Sequence, residues 1–247
     1  MQLATGGSML NFGMWSDETF DPINAQNNLC SHFGQLSELG SAKTVVDVGS
    51  GLSAPAIFWA KKYPDLNLYC VNINFKQLLY SGTHHNIEFF NSSSTKLPFS
   101  DNSVDRVIAL ESAQHFKPLE NFISESKRIL KKSGLLVLAM PVATNDSSFT
   151  NLGILKFTWS SEHYNLSDVK TLINSNGFQI IDEQLIGNQV YDPLSDYYSK
   201  NRELLKAKIL QKYPQFVESI LYKSILKMKT ASENKIINYV LLKCSPT

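Results

Sequence analysis

Residues 44 to 55, Thr-Val-Val-Asp-Val-Gly-Ser-Gly-Leu-Ser-Ala-Pro, constrain this chain more than any other stretch. Residues 44 to 48 are short, apolar and β-branched, which predicts a parallel strand buried on both faces. Gly49-Ser50-Gly51 follows at once, and Ala54-Pro55-Ala56-Ile57-Phe58-Trp59 predicts a helix with proline in its first turn. Strand, glycine turn and helix together are how an open α/β sheet builds a nucleotide site. The glycines allow backbone to approach a ligand, and the helix N-terminus offers free N–H groups. The spacing Gly49-x-Gly51-x-x-Ala54 also satisfies the loose dinucleotide fingerprint, so the turn alone does not choose the ligand.

The rest of the chain alternates. Strands are predicted at 67 to 73, 87 to 91, 104 to 110, 135 to 142, 178 to 186 and 236 to 243. A helix after Asp21-Pro22 buries Leu29, Phe33 and Leu36 and stops at Gly40; another runs from 118 to 130 and stops at Lys131-Lys132-Ser133-Gly134. Residues 192 to 232 read as a net basic helical insertion that Pro214 divides into two helices. This pattern predicts a single doubly wound α/β domain over 1–247. Residues 1–40 form an N-terminal cap, 41–187 the ligand-binding core, 188–234 the insertion and 235–247 the final strand.

Composition narrows the class. Lys plus Arg number 23 against 22 Asp plus Glu, so no nucleic-acid partner is expected. Cys30, Cys70 and Cys244 are widely spaced, which fits packed, reduced thiols in a cytoplasmic protein and predicts neither a zinc site nor a disulfide frame. The adjacent His84-His85 cannot share one face, and no metal is expected. The first residues lack a basic segment and a long apolar run, so no signal peptide is read there. The longest apolar run, 135 to 143, is too short to span a bilayer.

From residue 45 to 142 the chain resembles the class I S-adenosylmethionine-dependent methyltransferases, in the small-molecule, type 11-like group. Asp47-Val48-Gly49-Ser50-Gly51 resembles the first motif, and Val71-Asn72-Ile73-Asn74 with Gln77-Leu78 the second. Ser93-Ser94-Thr95-Lys96-Leu97-Pro98-Phe99 and Asp101-Asn102-Ser103-Val104-Asp105-Arg106-Val107 resemble the third. Ala109-Leu110-Glu111-Ser112-Ala113-Gln114-His115-Phe116 is similar to the end of the fourth strand. Leu10-Asn11-Phe12-Gly13-Met14-Trp15 is similar to the opening of enzymes that methylate antibiotics and sugars.

The resemblance implies a Rossmann-like, seven-stranded, mostly parallel sheet with an antiparallel C-terminal strand and a helical lid. It implies S-adenosylmethionine as cofactor. Asp47, Gly49 and Gly51 would line its methionine part. Asn72 would meet the ribose, Ile73 and the Ser93-Ser94 pair the adenine, and the Leu110 carbonyl the amino group; Ser50 and Gln77 would belong to the same cofactor-binding set. Asn72 and Ser93 depart from the acidic residues usual at those places. A small-molecule acceptor is expected, natural-product, sugar or lipid-like, with O-methylation favoured. N- or C-methylation, or methylation of RNA or protein, are the alternatives. A nicotinamide oxidoreductase or a non-catalytic adaptor would also use the fold.

His115, whose ordinary pKa lies near neutrality, is the candidate base, and Glu111 would orient it or the substrate. Phe12, Trp15, His115 and Trp159 are candidate acceptor contacts. The insertion is read as a lid over the acceptor. Its alternatives are packing on the sheet edge or on a second subunit of a homodimer.

Overall fold

The computed structural model describes residues 7–144, 152–155 and 162–247. Trp159, expected to contact the acceptor, lies outside the described residues. Among the described residues no helix is long and apolar enough to cross a membrane.

The chain opens with a strap, residues 9 to 15, laid across helix α1 (Pro22–Leu36). Asp21 caps α1 by accepting from the Asn24 N–H at 2.9 Å, with Pro22 in its first turn. Strand β1 (Thr44–Val48) leads through the glycine turn to α2 (Ala54–Lys62). Then come β2 (Asn67–Asn72), α3 (Phe75–Leu79), β3 (Ile87–Asn91), β4 (Val104–Leu110), α4 (Leu119–Ile129) and β5 (Leu130–Ala143). Helix α5 (Leu166–Ser175) and β6 (Phe178–Leu185) precede three helices, α6 (Gly187–Lys200), α7 (Arg202–Leu210) and α8 (Gln215–Glu233). Strand β7 (Ile237–Pro246) ends the fold.

The seven strands stand in the order β3-β2-β1-β4-β5-β7-β6. Only β7 runs antiparallel, inserted between β5 and β6. This is the doubly wound, mostly parallel α/β sheet expected from the sequence. One face packs Leu29, Phe33 and Trp59 of α1 and α2 together with Tyr191 of α6. The other packs Phe122 and Ile123 of α4 with Val169 and Ile173 of α5. The indole of Trp59 is fully buried and donates to the Cys30 carbonyl at 2.8 Å, so its one polar atom is satisfied in the core. The three cysteines are buried and unbridged.

Two expectations need correction. Strand β5 starts at Leu130, directly from α4, and the expected stop at 131 to 134 is a bulge inside it. Val104 pairs with Leu130 but Arg106 with Leu135, so the intervening residues loop out opposite Asp105. Asp105 gathers the bulge by accepting from Lys131 Nζ and from the Lys43 and Thr44 amides. These donors hold its carboxyl well below the ordinary carboxylate range.

The insertion has three helices, not two. Pro193 sits inside α6 without a break. A proline has no N–H to offer the carbonyl four residues earlier. That carbonyl, Gln189 O, accepts instead from the Trp15 N–H at 2.8 Å. The strap thus takes up the hydrogen bond that the proline leaves vacant, and α6 continues.

Candidate active site

Strand β1 lies at the centre, with β2 on one side and β4 on the other. The connections leave β1 and β4 in opposite directions, so a crevice opens at the C-terminal ends of these strands. A cavity of about 850 Å³ fills that position. Volumes of this order suit a small molecule, and this one is at the large end of the usual range.

The glycine turn forms its floor. Gly49 and Ser50 donate to the Val71 carbonyl, tying the turn to β2. Gly49 has φ +75, and a Cβ there would lie 2.5 Å from Ser112 Cβ. Ser112 cannot retreat easily, because its hydroxyl donates to the Val48 carbonyl at 2.6 Å. Gly51 differs. Its φ is +57, yet a Cβ would meet only Leu10, at 3.8 Å. Gly49 is therefore needed by the protein's own packing, whereas Gly51 keeps backbone open toward the cavity.

Ser50, Gly51, Asn72, Ile73, Gln77, Ser93, Ser94, Leu110, Glu111, His115 and Phe12 all line this one cavity, as does Gly49. Asn72 is held tightly: its amide donates to the Gly51 carbonyl at 3.1 Å and to Gln77 Oε1 at 2.8 Å. Its Oδ1 accepts from the Asn74 N–H. Ile73, next to it, is exposed and adds apolar surface to the cavity lining. Ser93 exchanges a hydrogen bond with Thr95. These neutral groups can bind hydroxyls and ring edges without adding charge.

Two expected residues lie elsewhere. Asp47 does not line the cavity; it is buried beneath it, 3% exposed, and its carboxylate accepts no hydrogen bond from a described residue. Burial alone pushes its pKa up to about 7. Trp15 is buried against Ala25 and Leu194, with its ring 5.4 Å from that of Tyr197. It fastens the strap between α1 and α6 and is not among the residues lining the cavity. Gly13, next to it, has φ +104 and passes so close to α1 that a Cβ would lie 2.8 Å from Ala25 backbone.

Glu111 and His115 stand on one turn after β4, in different surroundings. Glu111 has φ 52, and its Oε1 accepts from the Phe12 N–H and the Tyr239 hydroxyl, each at 2.9 Å. Burial raises its pKa to about 7 against the pull of those two donors. His115 is exposed, at the end of a single 3-10 turn, with Gln114 Nε2 at 3.5 Å. The two side chains share no hydrogen bond, so Glu111 does not orient His115. Glu111 anchors the strap instead.

Several cavity residues escaped the sequence reading. Leu10, Asn11, Ser112 and Gln114 come from stretches already singled out for their neighbours. Val217, Ser224 and Met228 of α8 join Ile220 and Leu221 in the opposite wall. The apolar face expected on this helix was Phe216, Ile220 and Leu221; the last two line the cavity, whereas Phe216 is 64% exposed and does not. One residue's step on a helix turns the side chain away by about 100°.

Comparison with known proteins agrees with this geometry. Residues 46–138 match the family model described as a methyltransferase domain. Residues 46–138 are therefore similar to a methyltransferase domain. The erythromycin 3''-O-methyltransferase of Saccharopolyspora erythraea is 28% identical over 144 residues, covering 56% of this chain and 47% of that protein. The chain thus spans about half the length of the curated relatives it matches first. The geranyl diphosphate C-methyltransferase from Streptomyces coelicolor A3(2), solved with S-adenosyl-L-homocysteine, superposes with a TM-score of 0.77 at 11% identity. That likeness covers all of this chain and 96% of the other. The [4+2]-cyclase SpnF superposes with a TM-score of 0.79 at 17% identity, over 98% of this chain and 89% of that one. The methyltransferase fold therefore extends over the whole described chain, including the strap and α6–α8. A cyclase on the same fold means that the site, not the fold, must carry the functional argument.

Proposed function

We propose that this methyltransferase domain transfers a methyl group from S-adenosylmethionine to the hydroxyl of a small molecule with an apolar body. The observation that carries the reading is the two-sided cavity. One side is the glycine turn with Asn72, Gln77 and Ser93-Ser94; the other is the apolar stripe of α8 with Phe12 and Leu10. The first side suits a nucleoside and an amino acid: open backbone at Gly51, neutral polar groups along β2 and β3, and the exposed face of Ile73. The second suits hydrocarbon or a glycoside ring.

When bound, the sulfonium supplies an activated methyl group, so the protein's part is alignment, exclusion of water and acceptance of a proton. Helix α8 and the strap would close the acceptor side, which is the lid role read for residues 188–234. Two groups on the turn after β4 can take the proton. His115 is the base the sequence points to, and it stands at the mouth. Glu111 stands inside.

Calorimetry tests the cofactor reading. S-adenosylhomocysteine should bind with micromolar affinity or better, and NADH should not bind. Tight NADH binding with no response to S-adenosylhomocysteine would overturn the reading in favour of an oxidoreductase.

A further inference from the structure

Glu111 is the only carboxylate among the described residues that line the cavity, and Lys117 the only lysine or arginine. Both hydrogen bonds to Glu111 land on Oε1, while Oε2 meets no donor of the described protein. No lysine or arginine pairs with it among the described residues. The titratable groups that face it are Tyr239 of β7, Tyr191 of α6 and Cys30 of α1. Burial pushes all three far up, so they are neutral near pH 7. His115 and Lys117 stand further along its own turn, both exposed. A carboxylate in such a place is costly unless a cation meets it or a proton neutralises it. Here the protein supplies no cation, and one carboxylate oxygen is left for whatever enters.

We propose that Glu111 keeps the cavity's charge constant through the reaction, ionised against the sulfonium when S-adenosylmethionine is bound and protonated by the acceptor's hydroxyl as that charge disappears. The proposal rests on the reading of the cavity as an S-adenosylmethionine site. The balance is complete. The carbon–sulfur bond breaks with its electron pair left on sulfur, and a hydroxyl lone pair forms the new oxygen–carbon bond. The O–H bond breaks, and its proton goes to Glu111 Oε2. One positive charge leaves sulfur as one negative charge leaves the carboxylate. Tyr239 and the Phe12 N–H are positioning groups: they fix Oε1 and so turn Oε2 to the cavity. The rise of the Glu111 pKa to about 7 without ligand supports this, because a group so poised can change state in either direction at neutral pH.

The binding arm of the proposal needs no acceptor. At pH 6.5 most Glu111 is protonated in the free protein. A sulfonium nearby lowers a carboxylate's pKa by about 1–3, so S-adenosylmethionine should expel about half a proton or more per site. S-adenosylhomocysteine, which lacks that charge, should expel little. Calorimetry in two buffers of different ionisation enthalpy reads the difference directly. Glu111→Gln keeps an acceptor for Phe12 and Tyr239. It should abolish the difference, weaken S-adenosylmethionine about tenfold, the equivalent of one pKa step, and leave S-adenosylhomocysteine unchanged within about twofold. His115→Ala should retain the difference, and Tyr239→Phe should move it to higher pH. Equal proton release with the two ligands, or release that survives Glu111→Gln, overturns the proposal. Failure of both ligands to bind wild-type protein would instead overturn the cofactor reading itself.

Discussion

Asp47 offers the sharpest test of how the site is built. It is 3% exposed, lies at the end of β1 beneath the cavity and accepts no hydrogen bond from a described residue. Burial raises its pKa from 3.8 to about 7. At about 1.4 kcal/mol for each tenfold change in proton affinity, that rise is worth about 4 kcal/mol as an upper bound. The sign follows from linkage. The folded state binds this proton more tightly than the unfolded chain does. The resulting stability is complete below pH ~4 and is lost as pH rises through about 7.

Asp47→Asn removes the titration while keeping the shape. The new amide has no more partners than the old carboxyl, so it carries a cost of about 1–3 kcal/mol at every pH. That cost cancels when two pH values are compared, and so does the contribution of Glu111, which both proteins retain. Denaturant unfolding of the ligand-free proteins at pH 5 and pH 8 should show the variant gaining about 2–4 kcal/mol relative to wild type at the higher pH. In thermal melts the gain should be about 4–12 °C at this chain length. A stability difference that does not change between pH 5 and pH 8 would mean that Asp47 is not desolvated. The burial argument would then be wrong.

The two glycines of the turn should separate. Gly49→Ala forces a Cβ into Ser112 and should lower the melting temperature of the ligand-free protein, whereas Gly51→Val should stay closer to wild type in folding and lose most S-adenosylhomocysteine affinity in calorimetry. Equal thermal loss in both, with S-adenosylhomocysteine still bound by Gly51→Val, would refute the division of labour. In the insertion, Glu218 is buried at the α7–α8 contact and accepts from Arg202 Nε at 3.1 Å, while Arg202 also lies 3.7 Å over the Tyr222 ring. Arg202→Ala strands a buried carboxylate, and Glu218→Ala leaves a guanidinium that can reach water. Hydrogen exchange in α8 should therefore accelerate more in the first variant than in the second.

Much of the fold was legible because its signals are local. Strand β1 reads as buried because residues 45, 46 and 48 are all valine, and the glycines that follow admit few other structures. The failures are the reverse. Lys131-Lys132-Ser133-Gly134 has the composition of a turn, and only Asp105, reaching across from β4, turns it into a bulge. The insertion was read with one break, at Pro214, but a second falls at Asn201 between α6 and α7, where no proline or glycine marks it. The bulge is a place where a contact between residues far apart in sequence overrides a local preference.

The same division explains the site. Residues placed by their position after a strand end, such as Gly51 and Ser93, were assigned to the site by motif, and both line the cavity. Residues whose role depends on a neighbour were found in the right place with an incomplete role. Asn72 is the clearest case. Its sequence position suggests a weak substitute for an acidic ribose contact. In the structure its amide donates to the Gly51 carbonyl and to Gln77, closing the glycine turn onto the end of β2. An aspartate there would set a carboxylate oxygen against the Gly51 carbonyl, acceptor against acceptor. The neutral residue is therefore built into the turn, and it leaves Glu111 as the one negative charge on the cavity wall among the described residues. In the proposed reaction such a site would meet the nucleoside with neutral groups and keep its single charge for the atom whose charge changes.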